Sequence, residues 1–499
     1  MCDTTTKILP QAMIITLNTK RTLRAFCFAL LLSSVAQPTE AGVIFTRLVS
    51  FAYTNGANPE SPLFLAQDGQ FYGTTRSGRG DGGGSVACGA AGTVFRLSPS
   101  GMVGSIASFD CTNGVQPYGG LVQATDGNFY GTTAFGGAYG YGTVFQVTPA
   151  GTLSTLYSFD GTNGINPCGL IKGNSGRLYG TASFGGQGYN GSQFSGRGTV
   201  FAVETNGALI TLVRFNGTNG YSPNSLIQDQ AGTLYGTTTR GGPLFNSSSG
   251  FGAFGTVFNL GTNGDLTTIA SFEGTNGASP GGLVRGADGN FYGVTEIGGP
   301  GFNAALMNGN GTVFRVAGGS LATLVSFNGT NGANPVASLV QGPDGNLYGA
   351  TPFGGIGYAG VQHSGNGTIF KLGPDDALTS LIALETTNGI NPFCALALGT
   401  DRNFYGTASA GGDANYGTVF RMSIPMPPTF QSITQLAGTL SFTWSAVAGQ
   451  TYQLQYSAHL LSANWSNLGS SVIATNGMMS ASDSPGQEVQ RFYRVALLP

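Results

Sequence analysis

One pattern recurs seven times along this chain, and it restricts the fold more than any other feature. An aromatic residue followed by glycine stands at Gly73, Gly131, Gly180, Gly236, Gly293, Gly349 and Gly406. A Gly-Thr-Val/Ile-Phe run ends at Phe95, Phe145, Phe201, Phe258, Phe314, Phe370 and Phe420. A Thr-Asn-Gly corner places its asparagine at Asn55, Asn113, Asn163, Asn219, Asn276, Asn331 and Asn388. Three separate marks with one count define seven units, spaced 49–58 residues apart. A repeat of this length is one supersecondary unit that must bury its apolar face against its neighbours.

Each unit carries four strand-like runs. In the second they are 120–124, 128–133, 142–148 and 153–159. Asp126-Gly127 supplies a tight turn between the first two, and Pro149-Ala150-Gly151 another between the last two. Four antiparallel strands repeated seven times predict an all-β, seven-bladed propeller. The chain also enters the repeats in mid-unit: residues 42–51 (GVIFTRLVSF) read as a fourth strand with no preceding three. The seventh unit stops after its third strand, at 417–423. Pairing the surplus strand with the incomplete unit closes the ring and removes both exposed edges.

Composition agrees with a β protein rich in turns. The chain has 84 glycines among 499 residues and only 8% charged residues. Lys20, Arg21 and Arg24 precede a short apolar stretch, 25–36, with small residues suited to cleavage after Ala36 or Ala41. That reads as a signal peptide over residues 1–41 and predicts a secreted, periplasmic or cell-surface protein. No second long apolar segment follows, so no membrane span is expected after its removal. The remaining chain has 16 basic and 20 acidic side chains, a poor match to nucleic acid. It is expected to be monomeric.

The repeats occupy 42–424, and Pro425, Pro427 and Pro428 mark a linker over 425–430. Residues 431–499 do not repeat. Their alternating runs at 439–444, 451–456, 465–468 and 491–497 resemble a small fibronectin-III-like β-sandwich, with Trp444 and Tyr493 opposed in its core.

The order of strand, Asp-Gly turn and Tyr-bearing strand resembles the NHL-type propeller repeat. LYGTT or FYGTT, then GG, then GTVF is more specifically similar to the GloVer tandem repeat of bacterial extracellular proteins. This resemblance covers residues 43–423. It implies an extracellular setting and a fold, and it implies no particular reaction.

A site would fall on the face that carries the long second-to-third-strand loops and the Thr-Asn-Gly corners. The loops bear Tyr139, Tyr141, Tyr189, Phe245, Phe251, Tyr358 and Tyr416, which are candidates for stacking on sugar rings or anchoring a protein. The alternative is that these rings fill gaps between units. Asp110, Asp160, Asn216, Glu273, Asn328 and Glu385 recur at the corners. Such residues ordinarily bond nearby amides, with Ca²⁺ the alternative use. No other cofactor is expected. With only His363 and His459, a Ser-His-Asp triad or a multi-histidine metal site has no material. An oxidising compartment would allow Cys88 and Cys111 to pair, while Cys168 and Cys394 read as buried and inert. The expected function is therefore binding of a polysaccharide or surface protein. A carbohydrate hydrolase or lyase using Asp81, Glu296 or Asp413 is the second reading, and a structural envelope component the third.

Overall fold

The computed structural model describes residues 13–15, 42–78, 91–245, 253–436, 438–459, 464–485 and 491–498. Among these there is no helix, and hence none long and apolar enough to cross a membrane. Seven four-stranded antiparallel sheets account for the repeats. In the second unit the strands Val122–Gln123, Phe129–Thr133, Thr143–Val147 and Leu153–Ser158 pair in chain order.

The sequence marks are physical contacts. Gly131 pairs with Phe145 across the second and third strands. A Cβ on Gly131 would stand 2.5 Å from Phe145 Cζ, so the buried ring lies over a bare backbone. The same glycine–phenylalanine pair forms in all seven sheets. The hairpin is fixed similarly. Asp126 Oδ1 accepts the Asn128 N–H at 3.0 Å, and its Oδ2 accepts the Tyr130 hydroxyl at 2.6 Å. Tyr72, Tyr292 and Tyr348 donate to Asp68, Asp288 and Asp344 in the same way. At the corner, Asn113 Oδ1 accepts the Asp110 N–H at 2.8 Å, while its carbonyl accepts the Thr143 hydroxyl at 3.1 Å.

Consecutive sheets are joined by one further residue per unit. Asn58, Gln116, Asn166, Ser222, Ser279, Asn334 and Asn391 each precede a proline and hold a left-handed φ of 54–58°. Their N–H groups donate to carbonyls of the preceding unit's loop: Tyr416, Ala91, Tyr141, Arg197, Phe254, Asn310 and Asn366. Asn58 thus ties the first unit to the seventh as Asn391 ties the seventh to the sixth. Aromatic packing follows the same path, with Tyr72 stacked on Phe129 at 4.0 Å and Phe71 tilted against Tyr405 at 4.2 Å. The surplus strand, Ile44–Ser50, pairs with Thr418–Ser423 and completes the seventh sheet.

The larger compact unit comprises Thr46–Ala397 and Tyr405–Arg421. The smaller takes Leu398–Phe404 and Met422–Pro499, with the N-terminal stretch up to Phe45. In the smaller unit Phe430–Leu436, Thr439–Ser445 and Met478–Asp483 form one sheet; the first begins within the stretch expected to be linker. Thr451–Ser457 and Arg491–Leu498 form the centre of another. Trp444 and Tyr493 share one core, and the Tyr493 hydroxyl donates to Asp483 at 2.7 Å. The expected signal segment lies outside the described residues apart from Met13–Ile15, a strand that pairs with Arg491–Leu498.

Candidate functional site

The loop aromatics divide into two groups. In the third to sixth units the corner reads Gly-Thr-Asn-Gly, and a loop ring lies on its first glycine. Tyr189 covers Gly161, Phe245 covers Gly217, Phe302 covers Gly274 and Tyr358 covers Gly329, each where a Cβ would have to stand. Tyr189 donates to the Tyr141 hydroxyl at 3.0 Å, and Tyr141 donates to Gly191 O at 3.3 Å. Asn310 Nδ2 donates to the Tyr358 hydroxyl at 3.3 Å, and Phe245 packs edge-on against Tyr221. The seventh, first and second units carry Thr386, Tyr53 and Cys111 in place of that glycine. There the rings face outward: Tyr139 is 62% exposed, the corner residue Tyr53 41% and Tyr416 37%, with Tyr53 and Tyr416 centred 5.5 Å apart; Phe194 in the third unit's loop is exposed as well, at 59%. Phe251 lies outside the described residues.

Most corner side chains are occupied locally. Asp110 Oδ1 accepts from Thr112 N, Thr112 Oγ1 and Asn113 N at 2.6–2.9 Å. The Thr112 hydroxyl is the main reason its carboxyl lies below the usual range. Asp160, Asn216 and Asn328 make the equivalent bonds. Among the described residues no three His, Cys, Asp or Glu side chains gather as metal ligands would. The acids considered for hydrolysis are not brought together. Glu296 accepts the Ser279 hydroxyl at 3.0 Å, Asp413 is exposed and paired with Arg47 at 2.9 Å, and Asp81 lies outside the described residues. His363 packs edge-on against Phe353. Cys111 is disulfide-bonded, whereas Cys88 lies outside the described residues.

A second feature was not anticipated from the sequence. Residues in or just before the first strand of all seven sheets line one cavity of about 690 Å³. Its walls include Glu60, Tyr118, Asn224, Ser225, Ser338, Phe393 and both free cysteines, Cys168 and Cys394. Burial pushes both thiols up, so they are weak nucleophiles there. Glu60 lies 3.5 Å from the Arg76 guanidinium, which in turn sits 5.3 Å from the Tyr118 ring centre. Burial also pushes the Glu60 carboxyl up, against the opposing pull of Arg76.

The repeat pattern described as the Gloeobacter/Verrucomicrobia repeat matches residues 34–194, 84–303 and 244–459. The chain belongs to this repeat family. No curated protein matches it. Solved structures similar to it include the extracellular domain of a hybrid two-component system of B. thetaiotaomicron, at 11% identity and TM-score 0.46. Another is PorZ, a surface component of the type-IX secretion system of Porphyromonas gingivalis, at 12% and 0.44. The chain matches over 89% of its own length in both cases, and spans 56% and 57% of those two chains. A polysaccharide lyase of the ulvan lyase family is similar at 9% identity and TM-score 0.34, over 79% of this chain and 82% of that one. Likenesses this loose carry no argument about the chain.

Two signals within the Gloeobacter/Verrucomicrobia repeats could have located these features. Gly-Thr-Asn-Gly corners are followed 28 or 29 residues later by an aromatic, which marks the rings that cover a corner glycine. The interval from the repeated proline to the next leucine is two residues in the third, fourth and fifth repeats and three in the others. That single residue reshapes the cavity wall.

Proposed function

We propose that this repeat protein is exported and binds a glycan or a surface protein through one sector of its loop face. In this reading the seven sheets are the blades of a closed seven-bladed propeller, and the chain acts as a monomer. The C-terminal two-sheet unit is a fibronectin-III-like spacer. The supporting observation is the unequal use of the loop rings. Tyr189, Phe245, Phe302 and Tyr358 are engaged in covering glycine and Phe194 of the third unit is exposed in the same loop as Tyr189, whereas Tyr53, Tyr139 and Tyr416 remain exposed on the seventh, first and second units. In a ring those three units are adjacent. Tyrosines held on a rigid framework give large contact area at small entropic cost.

The test is a glycan array probed with the purified chain, with and without Ca²⁺, beside a Tyr139→Ala/Tyr416→Ala variant. Selective binding that falls about tenfold or more in the variant is the expected result. A Ca²⁺ requirement would assign a ligand role to Glu273 and Glu385, whose carboxylates accept no corner hydrogen bond among the described residues. Glycan binding that survives the double substitution would place the contact elsewhere. Absence of any glycan signal would transfer the proposal to a protein partner, tested with the same variant.

A further inference from the structure

We infer that the cavity lined by residues in or just before the seven first strands is a second binding site, shaped for a small neutral sugar or polyol. Its wall is built in two halves. In the third to fifth repeats the shorter proline–leucine interval permits unbroken strands, Ile165–Lys172, Tyr221–Gln228 and Ala278–Arg285. The extra residue in the other four breaks the strand, leaving two-residue segments such as Phe64–Leu65 and Val122–Gln123. The residues directly after the proline in those four repeats, Glu60, Tyr118, Val336 and Phe393, all line the cavity. One half is therefore bulky and partly aromatic.

Small polar groups stand where the two halves meet. Ser225 and Ser338 flank Gly282, and a Cβ on that glycine would fall against both hydroxyls. The bare glycine thus lets both hydroxyls pack close over the strand backbone. Both serines are half-buried, and neither hydroxyl bonds to a described residue. A half-buried hydroxyl pair over a bare glycine is suited to bonding a ligand hydroxyl, and the aromatic wall is suited to the C–H face of a sugar ring.

Charge selects against the alternatives. Among the described residues Glu60 is the only Asp, Glu, Lys or Arg that lines the cavity, and Arg76 already opposes it at 3.5 Å. An anion would find no unpaired cation there, and a cation would have to displace Arg76. About 690 Å³ also lies within the size range of small-molecule pockets, roughly 300–1,000 Å³.

The experiment is calorimetric titration of the purified full chain with glucose, galactose, rhamnose, xylose and xylitol, beside glucuronate and glucosamine. Binding by at least one neutral compound at up to about 20 mM is expected, with the two charged sugars weaker. Ser225→Ala/Ser338→Ala should weaken it roughly tenfold with an unchanged melting temperature, and Gly282→Ala should weaken it by displacing both hydroxyls. Tyr139→Ala/Tyr416→Ala should leave it intact, so failure here and failure of the loop-face reading are separable. Silence from every neutral compound, preference for a charged sugar, or indifference to the serine substitutions would each overturn the inference.

Discussion

Gly131 has no room for a methyl group, because Phe145 occupies the place where its Cβ would project and both residues are fully enclosed. Relief would require moving either a buried ring or a strand. Gly131→Ala should therefore destabilise the chain by about 2 kcal/mol, measured by chemical denaturation. An unchanged midpoint would mean that the ring is free to shift. The aromatic-Gly and Gly-Thr-Val/Ile-Phe marks were legible in the sequence as separate signals. That they meet in register as one contact was not, since 14 residues and a variable loop separate them in the second unit. The residue before each repeated proline escaped notice altogether. Asn, Gln and Ser alternate there, and what they share is a left-handed backbone and an N–H aimed at the preceding unit.

Among the elements, the Asp-Gly hairpin was the easiest to anticipate, because its turn chemistry is local. The tyrosine four residues after the aspartate adds a feature with a measurable pH signature. Burial, reinforced by the hydrogen bond to Asp126, pushes the Tyr130 hydroxyl from 10.0 up to about 12. A folded-state value above the unfolded one favours the protonated hydroxyl in the native state. The associated stability is complete below pH 10 and is lost as pH rises through about 12. Tyr130→Phe should accordingly show a smaller fall in melting temperature between pH 9.5 and 12 than the parent chain, followed by circular dichroism. Identical slopes would show that the bond to Asp126 does not couple to folding. The long loops were harder to read. Their aromatics look alike in sequence, and only the glycine of a distant corner distinguishes Tyr189 from Tyr139.

Across the whole molecule, Ile44–Ser50 joins the first described stretch of the repeats to the last sheet. Phe51, which follows it, is fully buried and edge-on to Phe95 at 5.3 Å. Deleting residues 42–51 would leave Thr418–Ser423 as an unpaired edge and empty the space Phe51 fills. We expect a loss of about 3 kcal/mol or more, with self-association visible by light scattering. A monodisperse variant with the parent's melting temperature would argue against closure through this strand.

The sequence by itself determined the number of units, the four strands in each, the Asp-Gly turns and the pairing of the surplus strand with the incomplete seventh unit. Each of these rests on local turn chemistry or on counting a periodic pattern, and neither needs knowledge of distant contacts. Tertiary structure alone decided which rings are free and what encloses the cavity. Tyr189 lies over a corner glycine, whereas Tyr139 follows a corner that carries Cys111 in its place. Glu60, Ser225 and Ser338 come from three separate repeats and share one cavity only once the repeats are packed together. A repeat unit carries the instructions for its own sheet, but a site shared among repeats exists only once they are packed together.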